Sequence, residues 1–321
     1  MEPEAYDLFL KAQQEKAWSF ESTERAISYL EQSIQKDPEY APSHAALASF
    51  YSGLAIAGLR KPTEILSMAR KEAMRAIELD SALAVAYSVL GTLKYRFDWD
   101  FSGGESNIRR AISLNENSLG AHSALAYYLS CVSRFDESVK EALKAEQLDP
   151  NSTGTAQTTA LEYYFQGRYD QAIEKFDRAI ELGGNSATRL AILASCYVRK
   201  GMNTQSLACA EQGRKLVLPG VDQMADAYLA DPFSRNGKTD QVLEWINNWT
   251  LISKQRYVDG WLMAIMIAPT GNRDITCEWL ERGYKERSPN MPWIKKHPSF
   301  DRISSDPRFQ DLVRKMNFPE K

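Results

Sequence analysis

The sequence predicts an all-α fold, a solenoid of about eight stacked helical hairpins with a C-terminal capping segment. Three observations carry this expectation. Similar helix tails recur: residues 142–150 (ALKAEQLDP) and 176–184 (FDRAIELGG) lie 34 positions apart, residues 73–81 (AMRAIELDS) and 108–116 (IRRAISLNE) match them, and a fifth ends at Asp37 and Pro38. One helix later a large apolar residue precedes a small one, at Leu47-Ala48, Leu90-Gly91, Leu125-Ala126, Leu193-Ala194, Leu229-Ala230 and Met263-Ala264, with Thr159-Ala160 keeping only the small member. These small residues are spaced by 43, 35, 34, 34, 36 and 34 positions, and turn glycines follow at Gly167, Gly201, Gly237 and Gly271. Two antiparallel helices cannot bury both apolar stripes alone, so such hairpins stack. Stacking brings backbones close and demands small residues there, matched in the second helices by Ala76, Ala111, Ala145, Ala179, Gly213 and Gly283.

In chain order the hairpins span 4–38, 41–81, 84–116, 119–150, 153–184, 187–218, 222–256 and 258–287, an array over 1–287. A proline or glycine after most second helices stops them. The second hairpin carries extra residues around Gly53 to Lys61, and the third holds the insertion 96–101 (RFDWDF). There Trp99 is expected to plug between hairpins while Asp98 and Asp100 cap the next helix. The fourth and fifth are the most regular. The seventh, 222–256, is irregular: Asp231-Pro232 is expected to interrupt and kink its first helix, because proline removes a donor and clashes with the preceding turn, and Trp249 stands at a small-residue position. The tail, 288–321, holds five prolines and one predicted helix near 307–316. Its apolar residues, Trp293, Ile294, Phe300, Ile303 and Phe309 among them, predict a cap over the last hairpin's open face.

A hairpin repeated about every 34 residues resembles the tetratricopeptide repeat (TPR). That resemblance implies a right-handed superhelix whose first helices line a concave face. Shorter segments resemble a narrower group: AYDLFL at 5–10, FDWDF at 97–101, ERSP at 286–289 and FDRISSDPRF at 300–309. Together they are similar to the C-terminal TPR module of bacterial CadC-like winged-helix regulators, Ser/Thr kinases and adenylate cyclases. The chain itself carries no winged helix, kinase glycine-rich loop or cyclase domain. The resemblance implies a possible fusion or association with a regulatory effector domain.

Composition narrows the function classes. Of 321 residues 44% are apolar, which excludes wholesale disorder. The 39 basic and 42 acidic residues leave a formal charge of −3, against direct nucleic-acid binding. The acidic start at Glu2 and Glu4 lacks a signal-peptide pattern. Residues 41–59 carry no charge but no continuous apolar run either, so a helix packed on both sides is expected rather than a transmembrane segment. The four cysteines form no C-x-x-C pair and read as buried thiols. A cytoplasmic location is expected, or a periplasmic one if a membrane helix lies upstream.

No catalytic constellation is visible, and no enzyme, cofactor or metal site is expected. Gly237-Lys238-Thr239 mimics the end of a phosphate-binding loop, but Pro232 replaces the required glycine and no strand precedes it. The G-x-S-x-G and H-E-x-x-H patterns are absent. His44 and His122 occupy one repeat position and read as packing residues. The expected activity is a non-catalytic protein–protein interaction scaffold, holding a peptide or partner protein within a bacterial signalling or transcription-regulating system. The alternative is a small-molecule sensor acting on a fused or partner effector. Helical spacing puts Tyr95, Arg96, Tyr127, Gln157, Tyr164 and Arg199 on the concave face as candidate partner-binding residues, with tyrosine rings and arginine forks suited to a peptide. No Lys or Asn stands at these positions, so a carboxylate clamp for a chain terminus is not expected.

Overall fold

A computed structural model describes residues 2–15 and 20–319. Met1 of the acidic start, residues 16–19 between the first two helices, and Glu320 and Lys321 of the tail lie outside the described residues. Among the described residues all regular structure is helical. The helices pair in sequence: α1 (Pro3–Gln14) with α2 (Phe20–Lys36), α3 (Ala41–Ile56) with α4 (Pro62–Leu79), and α5 (Ala84–Leu93) with α6 (Phe101–Leu114). Then follow α7 (Leu119–Cys131) and α8 (Phe135–Leu148), α9 (Thr153–Phe165) and α10 (Tyr169–Glu181), α11 (Ala187–Arg199) and α12 (Asn203–Arg214). The last pairs are α13 (Gln223–Arg235) with α14 (Thr239–Ile252) and α15 (Gly260–Ile267) with α16 (Arg273–Lys285). Two 3₁₀ turns, Met291–Trp293 and Pro298–Ile303, lead to α17 (Pro307–Lys315). The chain divides into two compact units, 1–125 and 126–321.

Local chemistry sets the helix limits. The side chains of Asp100, Ser152, Ser186, Asp222, Asp259 and Asn272 each accept a backbone N–H in the first turn of the helix they precede, satisfying donors that have no intrahelical partner. Between α9 and α10, and between α11 and α12, Gly167 and Gly201 turn the chain at φ 73° and 74°, and Ser133 does so between α7 and α8 at φ 67°. Other residues rarely adopt this left-handed region.

The small residues lie in the packing seams. Ala48, Ala126, Ala160, Ala194, Ala230 and Ala264 of the first helices, and Ala76, Ala111, Ala145 and Ala179 of the second, are fully buried at 0% exposure. At Gly91 a β-carbon would stand 2.5 Å from Ile108 Cγ1 and 2.8 Å from the Gly104 carbonyl, so α5 and α6 touch backbone to backbone. The uncharged stretch beginning at Ala41 is the buried helix α3. Among the described residues no helix is long and apolar enough to cross a membrane.

Two expectations need correction. The helix α13 continues through Pro232 to Arg235 instead of breaking there. Proline cannot donate to the carbonyl four residues back, which belongs to Tyr228, but the Ser195 hydroxyl donates to that oxygen at 3.2 Å. Trp249 is accommodated as well: it is 2% exposed, and its indole N–H donates to Asp226 at 2.8 Å. In the insertion, a π-helical turn (Lys94–Asp98) absorbs the extra residues. Phe97, 1% exposed, fills the core there, while Trp99 is only half-buried. Asp100 caps α6 as expected, whereas Asp98 pairs with Arg70 at 2.8 Å.

Candidate functional site

In the unit 126–321 the first helices present large rings on one face: Tyr127 from α7, Tyr164 and Phe165 from α9, Tyr228 from α13 and Trp261 from α15. The chain's own residues 291–303 lie against this face. Trp293 stacks on Phe165 (centroids 5.9 Å, 28° between planes) and meets Tyr127 edge-on at 6.3 Å. His297 sits among the rings of Tyr164, Phe165, Tyr228, Trp261 and Phe300, with centroids 5.5–6.1 Å away. The Ser299 N–H donates to His297 Nδ1 at 3.3 Å. That leaves the ring proton on Nε2, 3.3 Å from the Tyr228 hydroxyl.

Arg199, at the end of α11, fixes the polar side of the segment. Its guanidinium donates to the Pro298 carbonyl at 3.0 Å and to Asp301 at 3.1 Å, and it pairs with Asp231 at 3.2 Å. Burial opposes its charge most strongly of any one influence, but Asp231, Tyr164, Tyr169 and Asp301 together outweigh it and hold its pKa above the ordinary value. Burial drives the His297 pKa down to about 3, with Arg199 adding to the effect, so the ring is neutral. Burial likewise pushes the Tyr164 and Tyr228 hydroxyls well above the ordinary tyrosine range. At the start of the tail Ser288 donates to both oxygens of Asp259, the residue that caps α15. The tail also touches the last hairpin, through Phe300 on Trp261 at 4.9 Å and Arg308 on Asp274 at 2.8 Å.

The six predicted residues divide between the units. Tyr127, Gln157, Tyr164 and Arg199 belong to the second. Three of them contact the tail, and Tyr127 also bonds Thr158 at 3.1 Å. Gln157 instead accepts two hydrogen bonds from Arg189, at 3.1 and 2.6 Å. Tyr95 and Arg96 belong to the first unit, where both are buried. The Arg96 guanidinium donates to the Tyr95 hydroxyl at 3.1 Å and lies 5.5 Å over its ring. Sequence reasoning missed Tyr228, Trp261, His297 and Asp301 as site residues and read Trp293 only as part of the cap. Complementarity was the available signal: an aromatic tail and aromatic first-helix positions in one chain.

The unit 1–125 has an open cleft of about 620 Å³ on α1, the start of α2, α3 and α5. Ala45, Ala46 and Ser49 form a small-residue floor, and Phe9, Phe50 and Val85 stand around it. Among the described residues Glu15 is the one charged side chain lining it, and both its carboxylate oxygens accept from Arg25, at 3.1 and 2.9 Å.

The remaining sequence candidates are committed elsewhere. His44 Nε2 donates to the Pro38 carbonyl at 3.1 Å and His122 Nε2 to that of Glu116 at 2.9 Å, tying each helix to the turn before it. Lys238 of the phosphate-loop mimic pairs with Glu211. Among the described residues no group of three or more His, Cys, Asp or Glu side chains is placed to hold a metal ion.

No family model matches the chain, and no curated protein matches it. Solved structures do. The human IFIT1 dimer with m7Gppp-AAAA has a TM-score of 0.64 at 17% identity, covering 88% of this chain and 72% of that one. Yeast Tom70 has a TM-score of 0.54 at 17% identity, covering 97% and 68%. PilW, a type IV pilus biogenesis factor, has a TM-score of 0.51 at 12% identity, covering 76% and 100%. At these identities the likeness is one of fold: sequential helical hairpins of the TPR type.

Proposed function

We propose that the chain is a non-catalytic scaffold that binds a peptide or partner protein on the first-helix faces of its hairpins. One observation carries this reading. In the second unit such a face holds an irregular segment, 291–303, as a bound peptide would be held, with rings packed on Trp293 and His297 and the Arg199 fork on a carbonyl and a carboxylate. Tyr and Arg supply large contact area and a rigid donor fork, the usual anchors of interfaces.

In this reading Tyr127, Gln157, Tyr164 and Arg199 shape the face that grips the tail, and Tyr95 and Arg96 shape the first unit. The resemblance in 5–10, 97–101, 286–289 and 300–309 supports a role in a bacterial signalling or transcription-regulating system, beside a regulatory effector domain, in the cytoplasm or, with a membrane helix upstream, in the periplasm. The test is capture of partners from the native host's extract by the immobilised full chain, followed by calorimetry with each purified partner. A saturable partner is expected, and Arg96→Glu should weaken it. Turnover of a substrate, or no partner above background, would refute the proposal.

The cleft of about 620 Å³ favours a second reading, small-molecule sensing. A thermal-shift screen separates the two, since a ligand at ~100 times its Kd adds ~2.7 kcal/mol.

A further inference from the structure

We propose that the turn between α12 and α13, together with the end of α14, docks on the surface of an anionic phospholipid bilayer. This goes beyond the scaffold reading and does not depend on it.

Three observations select that partner. The first is a concentration of exposed apolar side chains in the second unit. Among the described residues the three most exposed large apolar side chains are Leu218 (64%), Leu251 (59%) and Val221 (57%), and Leu216 is exposed as well. Leu216, Leu218 and Val221 belong to the turn after α12, and Leu251 to the last turn of α14. The two segments touch. A β-carbon on Gly220 would stand 3.3 Å from Ile252 Cδ1, and the Arg256 guanidinium donates to the Gly220 carbonyl. Single exposed leucines are ordinary, but several gathered at one place mark a contact with protein or membrane.

The second is the form of the patch. Gly220 turns the chain at φ 70°, and the Val221 and Asp222 N–H groups donate to the Leu218 carbonyl at 3.1 and 3.3 Å. Val217 points inward and is buried. A turn closed on itself and pinned by Arg256 holds its outer side chains in water. Those side chains are aliphatic. Leu and Val are under-represented among the anchors of protein interfaces, where Trp, Tyr and Arg dominate. A lipid interface takes aliphatic side chains directly, with Lys and Arg beside them.

The third is charge. Lys215, Lys254 and Arg256 are exposed in these same two segments. The one carboxylate between Lys215 and Asp222 or between Leu251 and Arg256 is Asp222 itself, half-buried and accepting the Ala225 N–H at 3.1 Å as the cap of α13. On the adjoining helices, Asp226 is buried against Arg214, Glu211 pairs with Lys238, and Glu244 stands two turns back from Leu251. The apolar patch is thus flanked by cations, whose stems reach past it to headgroup phosphates.

The test is sedimentation of the full chain with extruded vesicles of phosphatidylglycerol and phosphatidylcholine in equal parts, against vesicles of phosphatidylcholine alone. Binding to the anionic vesicles is expected, weakening as salt rises and about tenfold lower on the neutral ones. Leu218→Asp and Leu251→Asp, at exposed positions, should each lower the partition coefficient about tenfold without shifting Tm. Lys215→Glu combined with Lys254→Glu should lower it about as much and remove most of the salt dependence. Met74→Asp, at an exposed site of the first unit, should change nothing. Leu218→Trp should keep the binding and gain fluorescence quenching by lipids brominated on their acyl chains, which reports insertion at that residue. No binding, equal binding to neutral vesicles, or binding indifferent to both leucine substitutions would overturn the proposal. So would a purified protein partner that loses affinity on Leu218→Asp while vesicles stay unbound, because the patch would then be a protein interface.

Discussion

His297 offers a quantitative handle on the tail. Its ring is buried among five aromatic rings and beside the Arg199 guanidinium, and its pKa falls from 6.5 to about 3. A base whose folded pKa is lowered favours its neutral form in the folded state. Its contribution is fully present above the unfolded pKa near 6.5 and is lost as pH falls toward 3, because only the unfolded chain then takes up the proton. At 1.36 kcal/mol per pH unit, lowering the pH from 7.0 to 4.5 should cost about 2.5 kcal/mol from this residue. The perturbation is His297→Phe, which keeps a ring in the cage but cannot titrate. It forfeits the bonds to Tyr228 and Ser299, about 1–2 kcal/mol at pH 7. Guanidinium denaturation of both proteins at pH 7.0 and 4.5 gives four stabilities. The buried carboxyls of Asp222, Asp226 and Asp259, whose pKa values burial raises, titrate alike in both proteins and cancel from the difference. The wild type should lose about 2.5 kcal/mol more than the variant over that interval. Equal losses would show that His297 is not held neutral in the cage, and the account of the tail's seat would fail with it.

The register of the repeat makes a packing prediction. Ala160→Leu and Ala194→Leu insert bulk at fully buried seams and should each cost about 1–3 kcal/mol, while Lys144→Leu at an exposed position should cost far less; equal urea midpoints for all three would contradict the seam. Asp259→Ala removes the cap on Trp261 and Leu262 and strands the Ser288 hydroxyl, for about 2–4 kcal/mol by chemical denaturation. Ser195→Ala should cost about 1 kcal/mol, because it orphans the Tyr228 carbonyl that Pro232 cannot satisfy. In a Pro232→Ala background the restored N–H meets that carbonyl, so the same substitution should cost measurably less; an additive double-mutant cycle would refute the pairing.

The hairpins were legible because their cause is periodic. Small residues such as Ala126 and Ala160 recur wherever backbones meet, and a 34-residue spacing survives any drift in the residues between them. Pro232 was misread for the opposite reason. A proline's local penalty is visible in sequence, but the hydroxyl that relieves it comes from Ser195, in the preceding hairpin. Trp249 likewise depends on Asp226, 23 positions away. The inner-face candidates show a similar limit. Helical spacing identified Tyr127, Tyr164 and Arg199 as a set, yet it carries no information about what covers them. The tail's apolar content signalled a cap over the last hairpin, which it touches, but not its seat on the rings of α7, α9 and α13, and contacts such as Arg199 to Asp301, 102 positions apart, have no local signature.

Side-chain volume explains why the two first-helix faces differ. In the second unit Tyr127, Tyr164, Phe165, Tyr228 and Trp261 project from helices that stack at the same repeat. Left bare, they would form an apolar patch of the size that soluble chains rarely expose. Covering them takes an irregular segment with rings of its own, whose 3₁₀ turns pair part of its backbone internally, and Arg199 adds a side-chain donor on the Pro298 carbonyl. In the first unit the floor of the face is Ala45, Ala46 and Ser49, so little apolar area demands cover and a hollow remains. Large rings at these positions call for a permanent cover, and small ones do not.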